Sequence, residues 1–235
     1  MNVFTKRYQV LDHGYVEFKD HWGDGGKNII RAARQSTQGS FRGWDDDLKL
    51  LRYLQKNKHA TPFEFSGLTI EVQAPLFVFR EWHRHRTQSY NEMSARYTPL
   101  PALYYMPSID RLMIGSDGTN KQAGAMKGAS HLTESAAIQF QGELKACYRK
   151  FESEYNLALN VGVPKELARC GMPVGHYSRM YAQANLRNWL GFLTLRMSPH
   201  AQWEIRQYAN AVAGLIESIF PEVWQVYRES MESGN

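Results

Sequence analysis

Cysteine is scarce in this chain. Cys147 and Cys170, the only two in 235 residues, are too few for a disulfide framework, and neither sits in a C-x-x-C pair of metal-binding spacing. A chain of this kind is expected to work reduced, in the cytoplasm. Long apolar runs are missing as well. The longest, Ala74 to Phe79, falls far short of the roughly 20 residues a membrane helix needs. The opening MNVFTKRYQV has no apolar stretch of the secretory kind, so neither a leader nor a membrane is expected. No internal repeat or long heptad pattern occurs. Acidic residues are in deficit, 23 against 28 Lys and Arg, for a net charge of +5 and a pI near 9.1. That deficit favours an anionic partner: a phosphate-bearing small molecule, a nucleic acid or an acidic membrane surface.

What is present is ordinary globular material, 43% hydrophobic and 22% charged. The length suits one domain, 1–235. Tyr8–Leu11 and Tyr15–Lys19 read as strands around the turn Asp12-His13-Gly14. Gly23–Gly26 reads as a loop. Asp45 and Asp46 open a helix carrying Leu48, Leu51 and Leu54, which ends near Asn57. Gly67–Ala74 alternates as a half-buried strand, and Pro75 suits the first turn of a helix that is apolar on every side. Ile114–Ser130, rich in Gly, Ser and Asn, reads as a long mobile loop. Helices follow at 131–160, with Thr133, Ala136, Ala137, Phe140, Leu144, Tyr148 and Phe151 along one face, and at 164–169, 185–196 and 201–220. A strand over Gly175–Gln183 lies among them.

The apolar helix after Pro75 runs directly into Arg80, Glu81, Trp82, His83, Arg84, His85 and Arg86. Arg80 and Arg84 share a helical face. Arg84, His85 and Arg86 would fan over about 200° of a helix, so they can serve one ligand only if the helix stops there. His83 and His85, two residues apart on a helix and flanked by cations, are a poor metal pair, and no metal is expected. Thr87 to Arg96 then supplies hydroxyls, amides and one guanidinium, the donors a phosphate wants. A solvated basic face is the plain alternative. It is weakened because the cluster grows from a buried helix, where unpaired guanidinium is costly.

Arg84-His85-Arg86-Thr87-Gln88-Ser89-Tyr90-Asn91-Glu92-Met93-Ser94-Ala95-Arg96 matches R-H-R-x-x-S-x-N-E-x-S-x-R at every fixed position. This is the signature of the flavin-dependent thymidylate synthases, which the chain resembles. The resemblance extends to Arg31–Arg34 with Ser36, to His59–Glu64, and to Asn185–Arg196 with His200–Glu204. It implies an α+β fold, a twisted and mostly antiparallel sheet flanked by helices, assembled as a homotetramer with shared active sites. It implies FAD as cofactor, methylenetetrahydrofolate and NADPH as co-substrates, and reductive methylation of dUMP to dTMP.

By the same resemblance, FAD would meet Ser36, His59, Thr61, Arg84, His85, Arg86, Glu92, Asn185, Arg187 and Gly191. The dUMP would meet Glu92, Met93, Ser94, Ala95 and Arg96, with Glu81, Trp82, His83, Arg84 and Arg169 coming from another subunit. Arg196 would stabilise the N3-deprotonated uracil, and no cysteine would serve as nucleophile. Glu81 stands where some members have Gln, and Gly191 where some have a side-chain amide. Two rival readings use the same residues. A nucleic-acid-binding module would show steep salt dependence, and a flavin oxidoreductase would oxidise NADPH without consuming dUMP.

Overall fold

The computed structural model describes residues 6–115, 126–127 and 132–233. Alternation of apolar and polar side chains builds its centre. In β3 (Gly67–Pro75), Leu68, Ile70, Val72 and Ala74 are buried while Thr69, Glu71 and Gln73 turn outward. The same period recurs in β7 (Tyr177–Asn185), where Met180, Ala182 and Ala184 point inward. These strands pair antiparallel from Gly67 opposite Asn185 to Pro75 opposite Tyr177. With β1 (Arg7–Val10), β2 (Gly14–Trp22) and β4 (Ser89–Glu92) they form a five-stranded antiparallel sheet in the order β1-β2-β3-β7-β4. The expected α+β class and antiparallel sheet are present. A register shift between Phe18 and Asp20 interrupts the β2–β3 ladder. Gly67 must be glycine, since a Cβ there would overlap the Trp22 ring and the Ala184 carbonyl.

Helices close the apolar face of the sheet: α1 (Lys27–Arg34), α2 (Trp44–Lys56), α3 (Leu76–Trp82), α7 (Leu186–Arg196), α8 (Trp203–Ile219) and α9 (Pro221–Ser233). Further out lie α4 (Ile109–Leu112), α5 (Glu134–Asn160) and α6 (Lys165–Ala168). Among the described residues no helix is long and apolar enough to cross a membrane.

Several local expectations need correction. Gly23–Gly26 is not open loop, because Asp24–Gly26 forms a 3-10 turn that leads straight into α1. Pro75 ends β3 with extended backbone, and the helix begins one residue later. The strand expected to start at Gly175 starts at Tyr177 and runs on to Asn185. On α5, Phe140 is about half exposed, and the buried positions are Ala137, Tyr148 and Tyr155. Of the 114–130 loop, Ile114–Gly115 (β5) and Met126–Lys127 (β6) pair as a short antiparallel ribbon. The remainder of that loop lies outside the described residues.

One consequence of the topology positions the site. β3 and β7 run antiparallel, so α3 leaves one end of the sheet and α7 leaves the other. The two helices, about 10 and 16 Å long at the standard rise per residue, meet over the same core, where the Trp82 ring lies 4.6 Å from Phe192. Their C-terminal ends therefore converge.

Candidate active site

Helix α3 stops at Trp82, so the cationic segment is not helical. His85 N–H still donates to Trp82 O at 3.0 Å, and the Tyr90 hydroxyl donates to His85 O at 2.8 Å. This tight turn sends Arg84 and Arg86 to the surface and His85 inward, against the Phe192 ring at 4.9 Å. The early stop removes the problem of three consecutive basic residues fanning around a helix. Neither Arg84 nor Arg86 forms an ion pair among the described residues. Trp82 is fully buried, its Nε1–H donating to Gln88 Oε1 at 3.1 Å, so its ring is core rather than ligand surface.

Arg196 arrives from the C-terminal end of α7. Its Nη1 donates to Glu81 Oε2 at 2.6 Å, its Nη2 to Glu81 O at 2.8 Å and its Nε to His85 Nε2 at 2.9 Å. Three of the five guanidinium donors are thus fixed and two remain. The Glu81 carbonyl belongs to the last turn of α3, where carbonyls lack helical partners, so Arg196 also caps that helix. Since His85 Nε2 accepts, its ring proton sits on Nδ1. Burial first, and the Arg196 charge second, push the His85 pKa down to about 4. His85 is a neutral acceptor at physiological pH.

Beside this centre lies a cavity of about 500 Å³ whose walls include Arg80, His83, Glu92, Met93, Ala95 and Arg169. Met93 N–H donates to Arg179 O at 2.8 Å, continuing the β4–β7 ladder. The chain then turns over Ser94, whose Oγ accepts from Arg96 N at 3.3 Å. Arg96 itself reaches across to Glu166 at 2.9 Å. Five of the residues assigned to dUMP, His83, Glu92, Met93, Ala95 and Arg169, thus share one cavity. The wall also holds Arg80, noted in the basic cluster but not assigned to the nucleotide, and Glu166, His176 and Ser178, which sequence reasoning missed. Glu166 lies three residues before Arg169, a spacing that could have revealed it.

A second region holds four of the flavin-assigned residues, His59, Thr61, Arg187 and Gly191, whereas Glu92 lines the first cavity and His85 sits at Arg196. A groove of about 590 Å³ is lined by Ala33, Lys58, His59, Thr61 and Arg187, and one of about 200 Å³ by His59, Arg187 and Gly191. Asn185 caps α7, its Oδ1 accepting from Asn188 N at 3.0 Å, while Arg187 pairs with Glu64. A Cβ at Gly191 would meet nothing within 4 Å, so the groove floor is open there. Ser36 is exposed and donates to Ala33 O at 3.1 Å. Its turn is braced by the fully buried Asp47, which accepts from Arg34 Nε at 3.0 Å and from Arg42 N at 2.7 Å. Among the described residues no group of three His, Cys, Asp or Glu converges as a metal site. Both cysteines are exposed.

The arrangement offers a cavity walled by both cations and carboxylates, an open groove with cationic walls and one restrained guanidinium. A family model described as "Thymidylate synthase complementing protein" matches residues 17–222. Among curated relatives, a "Flavin-dependent thymidylate synthase" from Thermus thermophilus is 38% identical over 96% of this chain and 79% of its own length. One from Pseudothermotoga lettingae is 35% identical over 93% and 92%. Among solved structures, the UMP/dUMP methylase PolB from Streptomyces cacaoi, bound with 5-Br dUMP, superposes with a TM-score of 0.83. It is 29% identical and covers 94% of this chain and 97% of its own. The same enzyme bound with 5-Br UMP gives 0.81 at 30% identity.

Proposed function

The chain belongs to the flavin-dependent thymidylate synthases, and on that premise we propose that it methylates dUMP to dTMP with FAD as cofactor, methylenetetrahydrofolate as carbon donor and NADPH as reductant. The observation that carries the reading is the bond from Arg196 to His85. It joins the R-H-R segment to a second resembling segment 111 residues away.

The donor set suits a dinucleotide flavin. Its diphosphate is an anion, and Arg84 and Arg86 stand exposed without carboxylate partners among the described residues. The open floor at Gly191 leaves room for a planar ring. His59, Thr61, Arg187 and the end of α7 at Asn185 would hold the cofactor, together with His85, Glu92 and Ser36. When bound, the flavin supplies hydride to the nucleotide, so no side chain need act as nucleophile. The helix start at Asn185 adds a favourable dipole for phosphate.

At the cavity, His83 and Arg169 from its wall and Ser94 and Arg96 from its rim would bind the nucleotide phosphate, with a backbone donor from Ala95, since the Met93 N–H is already given to Arg179 O. Glu166, now paired to Arg96, would be displaced by that stronger anion. Arg196 would place its two remaining N–H groups on the uracil edge as negative charge develops there. A guanidinium already fixed by Glu81 and His85 need not reorganise at that moment, and this preorganisation is the source of its catalytic effect. Neutral His85 accepts from Arg196 and adds no competing positive charge. Four chains would share their sites in a cytoplasmic homotetramer.

Flavin content and turnover test the reading together. Purified protein should be yellow or become so with FAD, and should form dTMP from dUMP only when flavin is present. UMP belongs in the same assay, because PolB is described as a UMP/dUMP methylase. Protein that cannot be loaded with FAD would refute the proposal. NADPH oxidation without dTMP would reduce it to a flavin oxidoreductase.

A further inference from the structure

Helix α2 closes on a lysine in the left-handed conformation. Lys58 has φ 55°. Its N–H donates to Gln55 O at 3.2 Å, and His59 N–H donates to Leu54 O at 2.9 Å. That pair of bonds is the usual glycine-ended helix stop. Glycine would adopt the conformation without steric cost, whereas any residue with a Cβ is strained there.

The position of this strained residue matters. Three cavities adjoin at Lys58. The first, about 590 Å³, is lined with Thr61 and Arg187, the second, about 200 Å³, with His59 and Gly191, and the third, about 560 Å³, with Arg52 and Glu229. Of the other Lys and Arg side chains on these walls, Lys56 reaches only the third cavity and the two arginines are neutralised in place. Arg52 pairs with Glu229 at 2.7 Å, and Arg187 pairs with Glu64. Lys58 forms no ion pair among the described residues. A flexible, unpaired ammonium therefore stands where the grooves join, on backbone that would be more relaxed without it.

We propose that Lys58 binds a phosphate group of the flavin dinucleotide. The inference rests on the flavin reading above and adds to it a residue outside the matched motifs. Lys58 is a binding residue, not a catalytic one. The backbone strain is retained because glycine, the relaxed alternative, would leave the junction of the grooves without its cation.

Four flavin-free proteins test this: wild type, Lys58→Gly, Lys58→Asn and Lys58→Arg. Each is titrated with FAD by fluorescence and melted without ligand, and ADP serves as a competitor carrying the diphosphate alone. Loss of the ammonium should weaken FAD and ADP roughly 5- to 20-fold in the Gly and Asn variants, most clearly at low salt. Lys58→Arg should stay within about threefold of wild type, because it keeps the charge. Melting of flavin-free Lys58→Gly should be unchanged or higher by up to about 4 °C.

Affinity and stability moving in opposite directions is what a purely structural lysine would not produce. Wild-type affinity in Lys58→Gly would overturn the assignment. So would Lys58→Arg binding as weakly as Lys58→Gly, or a melting temperature that falls along with FAD affinity. If wild type takes up no FAD at all, the flavin reading fails first and the Lys58 assignment with it.

Discussion

Replacing Arg196 by lysine keeps a positive charge but breaks the geometry on which the mechanism depends. The guanidinium presents five N–H donors in a fixed fork, and three of them go to Glu81 Oε2, Glu81 O and His85 Nε2. A lysine ammonium is a point charge that cannot serve those three acceptors and still face a substrate ring. The two remaining donors, proposed above to meet the developing charge, are then lost or misplaced. Loss of one such preorganised donor costs about 3–4 kcal/mol of barrier, or roughly 10²- to 10³-fold in kcat. The fold should lose much less, about 1–2 kcal/mol, because Glu81 is half exposed and rehydrates. The assay is dTMP formation at saturating dUMP, run beside the flavin absorbance near 450 nm. Arg196→Lys should remain yellow while kcat falls at least a hundredfold. A kcat within tenfold of wild type would refute the role given to Arg196. Loss of flavin together with turnover would show that Arg196 holds the cofactor instead.

Three further outcomes follow from other features of the structure. The pKa of His85 is near 4 in the folded protein and near 6.5 when unfolded, so the unfolded chain binds the extra proton first. Stability should therefore decline as pH falls from 6.5 to 4, by about 2–3 kcal/mol at most from this group. Denaturant melts of wild type and His85→Gln across that window would measure it, and equal slopes would contradict it. Asp47→Ala strips a fully buried acceptor from Arg34 and Arg42. It should cost about 3 kcal/mol, roughly 6–12 °C in Tm, and loosen the Ser36 turn; a shift under 2 °C would show that the brace is unimportant. Gly191→Ala adds a Cβ into open space within a helix. Stability should rise by about 0.5–1 kcal/mol while FAD binding weakens, and unaltered flavin affinity would remove Gly191 from the groove floor.

Much of the sheet was legible because its strands obey a simple rule. Leu68, Ile70, Val72 and Ala74 alternate with polar neighbours, and the structure buries one set and exposes the other. Helix α2 announced itself through its acidic first turn. Helix α1 did not, because Gly26 precedes it in left-handed conformation and supplies no side-chain cap to read. Helix α9 carries a proline at its first position, a start signal that went unread. Phe140 misled because helical spacing alone does not say which side of a long helix faces the core.

The site was legible as chemistry more than as geometry. The motif around Arg84 to Arg96 pointed to anion binding, yet nothing in it revealed that Glu81 and His85 would grip an arginine more than a hundred residues away. The resemblance placed Trp82 at the nucleotide, but the burial of its ring depends on α7 packing against it. Lys58 carried no motif at all. Its place became visible only through a backbone angle and the grooves around it.

Methylation of dUMP by this chain should depend on flavin and need no cysteine. The most direct measurement is mass spectrometry of the nucleotide after incubating a Cys147→Ser/Cys170→Ser double variant with dUMP, methylenetetrahydrofolate and NADPH, with and without FAD. dTMP should form at close to the wild-type rate when FAD is present, and dUMP should stay unchanged when it is absent. Unchanged dUMP in the presence of FAD, from a folded and flavin-loaded variant, would contradict this.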